Sequence, residues 1–359
     1  MCLKYAAKAD NEHGLLNRAV SLSSKSIELF RNHVSDLHPI MIETKLENYL
    51  YSTYLTYKFE IIRNGILKCL INSIIIGDKK LTVSAYYHMG FSYKVFGQVN
   101  ASSYYSNKSY KLYNKYKLND YQLFKELSIN LFTVLPVYQL KNSFFLQKNL
   151  PKFEKFFQSM KDNRSIGLIY YYVAQSKLNF MEYCTAWDYI EKAEALFTKV
   201  ERQSKLLAMC NFIKWVALSR LGRIGFSDKY YTKSTEIMKS CYGKSNFEWI
   251  LFYHEVAYNY FLLEDLDNSI KYTKIALELI NNFNSNPSAI KCSNYFIAAI
   301  SMSNQEMNES DLKNYLNGFF TSHRLIFAEE SELTINMSVM LYMKGKYHIL
   351  KEFKENQNI

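Results

Sequence analysis

At 359 residues the chain is long enough for a large core, and its 11 Gly and 4 Pro are too few for a sandwich or barrel that turns about every ten residues. A hydrophobic fraction of 48%, rich in Tyr and Phe, with a net charge of +11, points to packed helices joined by short turns and to an anionic partner. The longest strongly apolar run, Cys69 to Ile76, is interrupted by Asn72 and Ser73 and too short to span a bilayer, and Met1 to Ala9 lacks the apolar core of a signal peptide. A cytoplasmic, soluble protein without membrane contact is therefore expected.

Residues 1–35 have a character of their own. His13 to Val20 reads as a short helix, Ser21 to Ser23 as a polar break, and Ser24 to Val34 as a second helix capped by Ser23 or Ser24. Two short helices with Leu15, Leu16, Ala19, Leu22, Ile27 and Phe30 as core suit a helix-turn-helix preceded by a support helix over Leu3 to Ala9. In that arrangement Ser24, Lys25 and Ser26 would enter a DNA groove, with Arg18 and Arg31 near phosphates. A plain N-terminal helical cap is the competing reading.

His38-Pro39 marks a boundary, because the residue before proline disfavours helix. Beyond it residues 40–359 read as a repeat array. Ile42 to Tyr57 and Glu60 to Ile76 form a helical pair broken near Lys58, with Gly77-Asp78 ending the second helix. Tyr86, Met89, Gly90, Tyr93 and Gly97, followed by Ser102, Ser106 and Ser109, then give a first clear hairpin: large residues on one helix, small ones on the next, so that the two pack closely. Tyr170, Val173 and Ala174 with Ala186, Ile190 and Ala193 repeat it, as do Leu218 and Gly222 with Ser227, Tyr231 and Ser234, although Trp215 stands where a small residue is wanted. Tyr253, Val256, Ala257 and Tyr260 with Ser269, Thr273 and Ala276 complete the series. The clear copies cover 83–116, 167–200, 208–241 and 250–283, a period of about 42 residues with one degenerate copy near 125, where Pro136 and Pro151 are expected to kink or end helices. After Pro287 a weaker hairpin over Ala289 to Ser301 and Asp311 to Phe320 and a closing helix over Glu332 to Phe353 are expected.

The fold class is thus all-α, a tetratricopeptide-like helical hairpin solenoid wound into a right-handed superhelix. First helices of such hairpins line the concave side, so side chains between their packing positions would face a ligand. By register these are Tyr87, Phe91 and Lys94; Tyr171 and Gln175; Phe212, Val216 and Arg220; and His254, Tyr258 and Phe261. Rings among polar groups suit a short extended peptide, bound by Tyr171, Gln175, Phe212, Arg220, His254, Tyr258 and Phe261, with packing between repeats as the alternative for each. Residues 51–150 carry 13 Lys/Arg against 4 Asp/Glu, and residues 251–359 carry 9 against 13, which suggests an anionic partner for the front of the chain, nucleic acid being the obvious one, with a solvated lysine-rich helix face as the alternative.

Catalytic signatures are missing: no GxGxxG, GxxxxGK[ST] or GxSxG occurs. His254-Glu255 begins an HExxH pattern, but residue 258 is Tyr, and Asp265 with Asp267 lacks the glycine and distal Glu of a calcium loop and reads instead as a turn and helix cap. The six cysteines, far apart and without a CxxC pair, read as small buried residues of a reducing compartment. No enzyme, metal or cofactor is expected.

The HGLLNRAVSLSSKSIELF stretch at 13–30, KLENYLYSTY at 45–54 and the Tyr/Ala hairpins from 167 onward resemble the tetratricopeptide-repeat, peptide-sensing regulators of Gram-positive bacteria and their phages, most of all the arbitrium receptors. The resemblance implies a homodimeric transcription regulator that binds DNA through its N-terminal region and is controlled by a short signalling peptide, setting the choice between lysis and lysogeny. A peptide-binding repeat module that acts on a partner protein without DNA is the alternative.

Overall fold

The computed structural model describes residues 2–12, 16–53, 59–96, 98–134, 140–200, 204–242 and 247–281. Among these the chain is all-α, with fourteen helices packed in consecutive pairs. The hairpin expected over 289–320 and the helix expected over 332–353 lie outside the described residues, as does Pro136. The helices are α1 (Cys2–Glu12), α2 (Leu16–Arg31), α3 (Pro39–Ser52), α4 (Phe59–Ile75), α5 (Lys79–Val95), α6 (Val99–Lys115) and α7 (Tyr121–Val134). They continue with α8 (Leu140–Ser159), α9 (Asn163–Asn179), α10 (Tyr183–Val200), α11 (Lys205–Arg220), α12 (Ile224–Cys241), α13 (Phe247–Leu262) and α14 (Leu266–Asn281). The described residues fall into two compact units: one lies within 67–94 and 99–242, the other within 2–66, 95–98 and 247–281.

Within the first of these units the repeat is set by helix caps. Asp78, Asp120, Asp162 and Ser204 recur every 42 residues, and each side-chain oxygen accepts the N–H of the residue three further on, Leu81 (2.9 Å), Leu123 (2.8 Å), Ser165 (2.9 Å) and Leu207 (3.4 Å). Each such bond satisfies one of the orphan donors at a helix start and fixes where α5, α7, α9 and α11 begin. The degenerate copy therefore keeps the register: α7 and α8 fill the gap, and Pro151 lies inside α8 rather than ending it.

The helix ends follow a second rule. Gly77, Lys117, Lys161, Met181, Gly222 and Glu264 all have positive φ. After each, the next N–H reaches back five residues, as from Asp78 to Ser73 O (3.0 Å), Asp162 to Phe157 O (2.9 Å) and Asp265 to Tyr260 O (3.0 Å). This is the Schellman stop, which pairs carbonyls the helix would leave unsatisfied. Only two of the six positions are glycine, so four turns bear the cost of a left-handed L-residue.

Paired helices close on small residues. Gly90 and Ser106 touch so nearly that a Cβ at residue 90 would stand 2.5 Å from Ser106 Oγ and 2.9 Å from its backbone nitrogen, and Ser102 Oγ donates to Gly90 O at 2.7 Å. In the other unit Ser269 Oγ donates to Ala257 O at 3.0 Å across the same twelve-residue separation. Ala174 and Ala186, fully buried, hold the matching places in α9 and α10. In the degenerate pair Phe132 stands where Gly90 would, and aromatic packing takes over. Phe124 lies 4.3 Å from Phe156 and 5.4 Å from Tyr113, centroid to centroid, and Phe132 meets Phe153 at 5.4 Å.

Acidic caps double as clasps. Asp120 also meets Lys80 Nζ (2.6 Å), and Asp162 takes a hydrogen bond from Tyr121 Oη and faces Lys125 Nζ (3.1 Å). Burial alone would raise the Asp162 carboxyl, but the bonds from Tyr121, Ser165 and Lys125 outweigh it and hold it well below the usual range; Asp120 is lowered by the Leu123 N–H and Lys80 against the same opposing burial. A depressed folded-state carboxyl stabilises fully above its unfolded value of 3.8 and loses that stability as pH falls through the folded value. Urea titrations should thus show stability declining below about pH 4, with a shallower acid limb in Asp162→Asn, which keeps the cap but not the charge. At the turns, Met181→Gly, at a site 75% exposed, should raise stability by about 0.5–1 kcal/mol, and Gly222→Ala should lower it by about 1 kcal/mol; thermal denaturation reads both.

Candidate functional site

In the N-terminal helices the expected break at Ser21 to Ser23 does not exist. Leu16–Arg31 is one uninterrupted helix. The reason is tertiary: Ser23 Oγ donates to Val20 O (3.0 Å), and Asn48 of α3 donates to Ser23 Oγ (2.7 Å), Ser24 Oγ (3.0 Å) and Val20 O (3.4 Å), so the polar SLSS run is satisfied inside a helix. Lys4 of α1 likewise reaches Glu43 (2.5 Å) and Glu47 (3.7 Å), so α1 and α2 are both fastened to α3, beyond the His38-Pro39 boundary.

Of the residues expected to meet DNA, Ser26 is buried (2% exposed) and Ser24 is engaged by Asn48, which removes both from a groove-reading role. Arg18, exposed, pairs with Asp10 at 3.0 Å, and Lys25 and Arg31 lie exposed on α2.

The expected peptide residues divide in the same way. Tyr171 (4% exposed) and Phe212 (7%) belong to the core rather than to an open wall, as do Tyr87 and Val216. Residues 211–217 of α11 are all buried, because α11 packs against α9, α10 and α12. Gln175 and Arg220 remain partly exposed on α9 and α11. In the other unit His254, Tyr258 and Phe261 lie four and three residues apart along one stripe of α13, all partly exposed, with His254 Nδ1 3.6 Å from Glu255. Asp265 caps α14 through the Asn268 N–H (3.1 Å), so the LEDLDN segment is a turn and cap. Cys69 and Cys210 are buried as expected, but Cys2, Cys184 and Cys241 are exposed, and Cys292 lies outside the described residues. Burial pushes the Cys210 thiol up, which keeps it protonated and inert.

One constellation escaped the sequence reading. Lys214, in the middle of the apolar helix α11, has a side chain only 7% exposed. Its Nζ lies 2.7 Å from Glu194 and 3.5 Å from Glu191 on α10, and sits over the rings of Trp187 (5.1 Å) and Tyr230 (5.7 Å). Glu194 also faces Lys233 of α12 at 3.7 Å and the amide of Asn211 at 3.5 Å. Burial alone would lower Lys214, but its hydrogen bond to Glu194 and the charges of Glu194 and Glu191 outweigh it and raise the ammonium. The isolated Lys in LLAMCNFIKWVAL is the signal that could have marked it, since a lysine enclosed by apolar neighbours needs a carboxylate. Chemically the group is a lock between successive hairpins. The depression beside it, along Asp188, Glu191, Lys192, Glu194, Ala195, Thr198 and Lys199, is open and draws every lining residue from α10.

Among the described residues no group of three or more His, Cys, Asp or Glu side chains could hold a metal ion, and no helix is long and apolar enough to cross a membrane. No protein-family model matches the chain, and no curated protein matches it significantly.

Lys214→Met should destabilise by about 3 kcal/mol, because Glu194 loses the charge that offsets its desolvation, and Lys214→Met with Glu194→Gln should recover most of the loss; urea denaturation reads both. A lysine raised above its unfolded value of 10.5 stabilises fully below that pH and less as pH climbs through the folded value, so the wild-type alkaline limb above pH 10.5 should be shallower in Lys214→Met.

Proposed function

We propose that this protein is a peptide-sensing transcription regulator built on tetratricopeptide-like hairpins, in the manner of the arbitrium receptors its sequence resembles. The observation that carries the reading is the stripe of His254, Tyr258 and Phe261 on α13; within the other unit, taken by itself, Gln175 and Arg220 are likewise partly exposed on α9 and α11. These partly exposed rings and polar groups lie on first helices whose neighbouring positions are packed. On α13 the aromatic faces bury apolar side chains of a peptide, while the imidazole pairs with its polar groups. A repeat array suits control by such a ligand, because many small hairpin interfaces can adopt two arrangements, and a peptide that favours one shifts the population between them. DNA contact falls to the basic part of the chain, and a homodimer would match a two-fold operator.

The unbroken α2 and the buried Ser26 favour a second reading, in which the same repeats bind peptide and act on a protein partner without DNA. Calorimetry against short peptides encoded beside the gene should show one that binds, with Tyr258→Ala weakening it at least about tenfold. If no such peptide binds, the sensor reading is wrong. A mobility shift with the gene's own promoter at low salt, where phosphate contacts are strongest, separates the two readings: peptide binding without any shift selects the protein-partner form.

A further inference from the structure

We propose that one face of α6, formed by Tyr104, Lys108, Lys111 and Lys115, is a binding surface for the sugar–phosphate backbone of a nucleic acid; this rests on the regulator reading above and places its DNA contact on the repeats rather than on α2. The four residues are spaced four, three and four apart, which sets them on one stripe of the helix, and the three lysines span about 10 Å of its length. Helix α6 contains no Asp or Glu. Tyr104 is 57% exposed, and Lys111 and Lys115 are exposed beside it.

The other hairpins supply an internal control. The corresponding positions are Asp188, Lys192, Ala195 and Lys199 on α10, and Lys229, Lys233, Glu236 and Ser240 on α12, so those second helices interrupt or balance their cations. Repeat geometry therefore does not demand three unopposed lysines here. Nor is Lys108 a loosely solvated end: its Nζ sits 4.6 Å from the Tyr86 ring centre and 5.6 Å from that of Tyr104, and 3.5 Å from Tyr104 Oη. Its hydrogen bond to Tyr86 raises its pKa, against a smaller effect of burial. Lys117 follows in the left-handed turn after α6, and Lys79, at the start of α5, holds its Nζ 5.5 Å from the ring centre of Tyr116, just after α6. Lys80 is occupied by Asp120.

A line of ammonium groups, one of them ordered by tyrosine rings, with an exposed aromatic ring at one end matches regularly spaced phosphates, and the ring can pack on a sugar or base. A lipid surface fits less well. The stripe offers one tyrosine and none of the Leu, Phe or Trp that an interfacial helix inserts among acyl chains.

Fluorescence anisotropy with full-length protein and labelled duplexes of about 20 base pairs, one from the promoter and one unrelated, tests the assignment at about 50 mM salt and above. Lys111→Gln with Lys115→Gln should weaken both duplexes about tenfold or more and reduce the slope of log affinity against log salt by about 2. Lys199→Gln with Lys239→Gln removes the same charge from exposed positions on α10 and α12 and should leave affinity within about twofold. Both double variants should keep the wild-type melting temperature. Wild-type affinity in the α6 variant, or an equal loss in the control, overturns the α6 assignment while leaving the regulator reading in place. A wild type that binds neither duplex, or that binds only anionic vesicles, overturns both, and peptide calorimetry then shows whether the sensing half stands alone.

Discussion

Two antiparallel helices can approach closely only where neither carries bulk at the crossing. Gly90 against Ser106, Ala174 opposite Ala186 and Ala257 bonded by Ser269 are the points at which this is met, and the hairpins are built outward from them. A side chain larger than serine at such a crossing forces the backbones apart and opens voids along both helices. The serine hydroxyls add a second element, for Ser102 and Ser269 donate across the pair to carbonyls already used by their own helices. They spend no apolar surface and leave no buried hydroxyl unsatisfied.

Around those crossings the tyrosines are distributed by register as well. Tyr105 lies stacked between Tyr86 (6.2 Å) and Tyr93 (5.3 Å), and 167 residues later Tyr272 lies between Tyr253 (6.0 Å) and Tyr260 (5.5 Å). In α9 and α10, Tyr170 and Tyr189 keep half of the arrangement, at 5.9 Å, with Lys192 over both rings. Burial pushes the Tyr170 hydroxyl up to about 12, helped by Glu154, so it remains a neutral donor at any working pH. The high tyrosine content is thus largely a packing feature, supplying large rigid rings whose polar ends stay near water.

Three places depart from this regularity. Where Trp215 replaces the small residue, α11 becomes a buried helix held by the Lys214, Glu194 and Glu191 lock; its core is Trp215 against Phe212 (5.3 Å) and Tyr231 (5.1 Å). Where α6 drops every carboxylate, an otherwise ordinary second helix acquires a cationic stripe. The partly exposed His254, Tyr258 and Phe261 occupy a helix whose Val256 and Ala257 are wholly buried, so the same element packs on one side and leaves rings and an imidazole partly exposed on another.

By itself the sequence determined the helical class, the 42-residue step and the small-residue crossings, because each depends on interactions within about 40 residues of chain and leaves a periodic trace. It also read the LEDLDN segment as a turn and cap and Gly77 as a stop, since those roles are local. What the tertiary structure decided is everything that hangs on a distant partner. Asn48 turns the polar SLSS run into mid-helix, Ser26 faces inward, and Tyr171 and Phe212 become core rather than groove. Register assigns a side chain to a face of its helix, but whether that face meets solvent or another helix depends on elements 20 or more residues away, which no local pattern records.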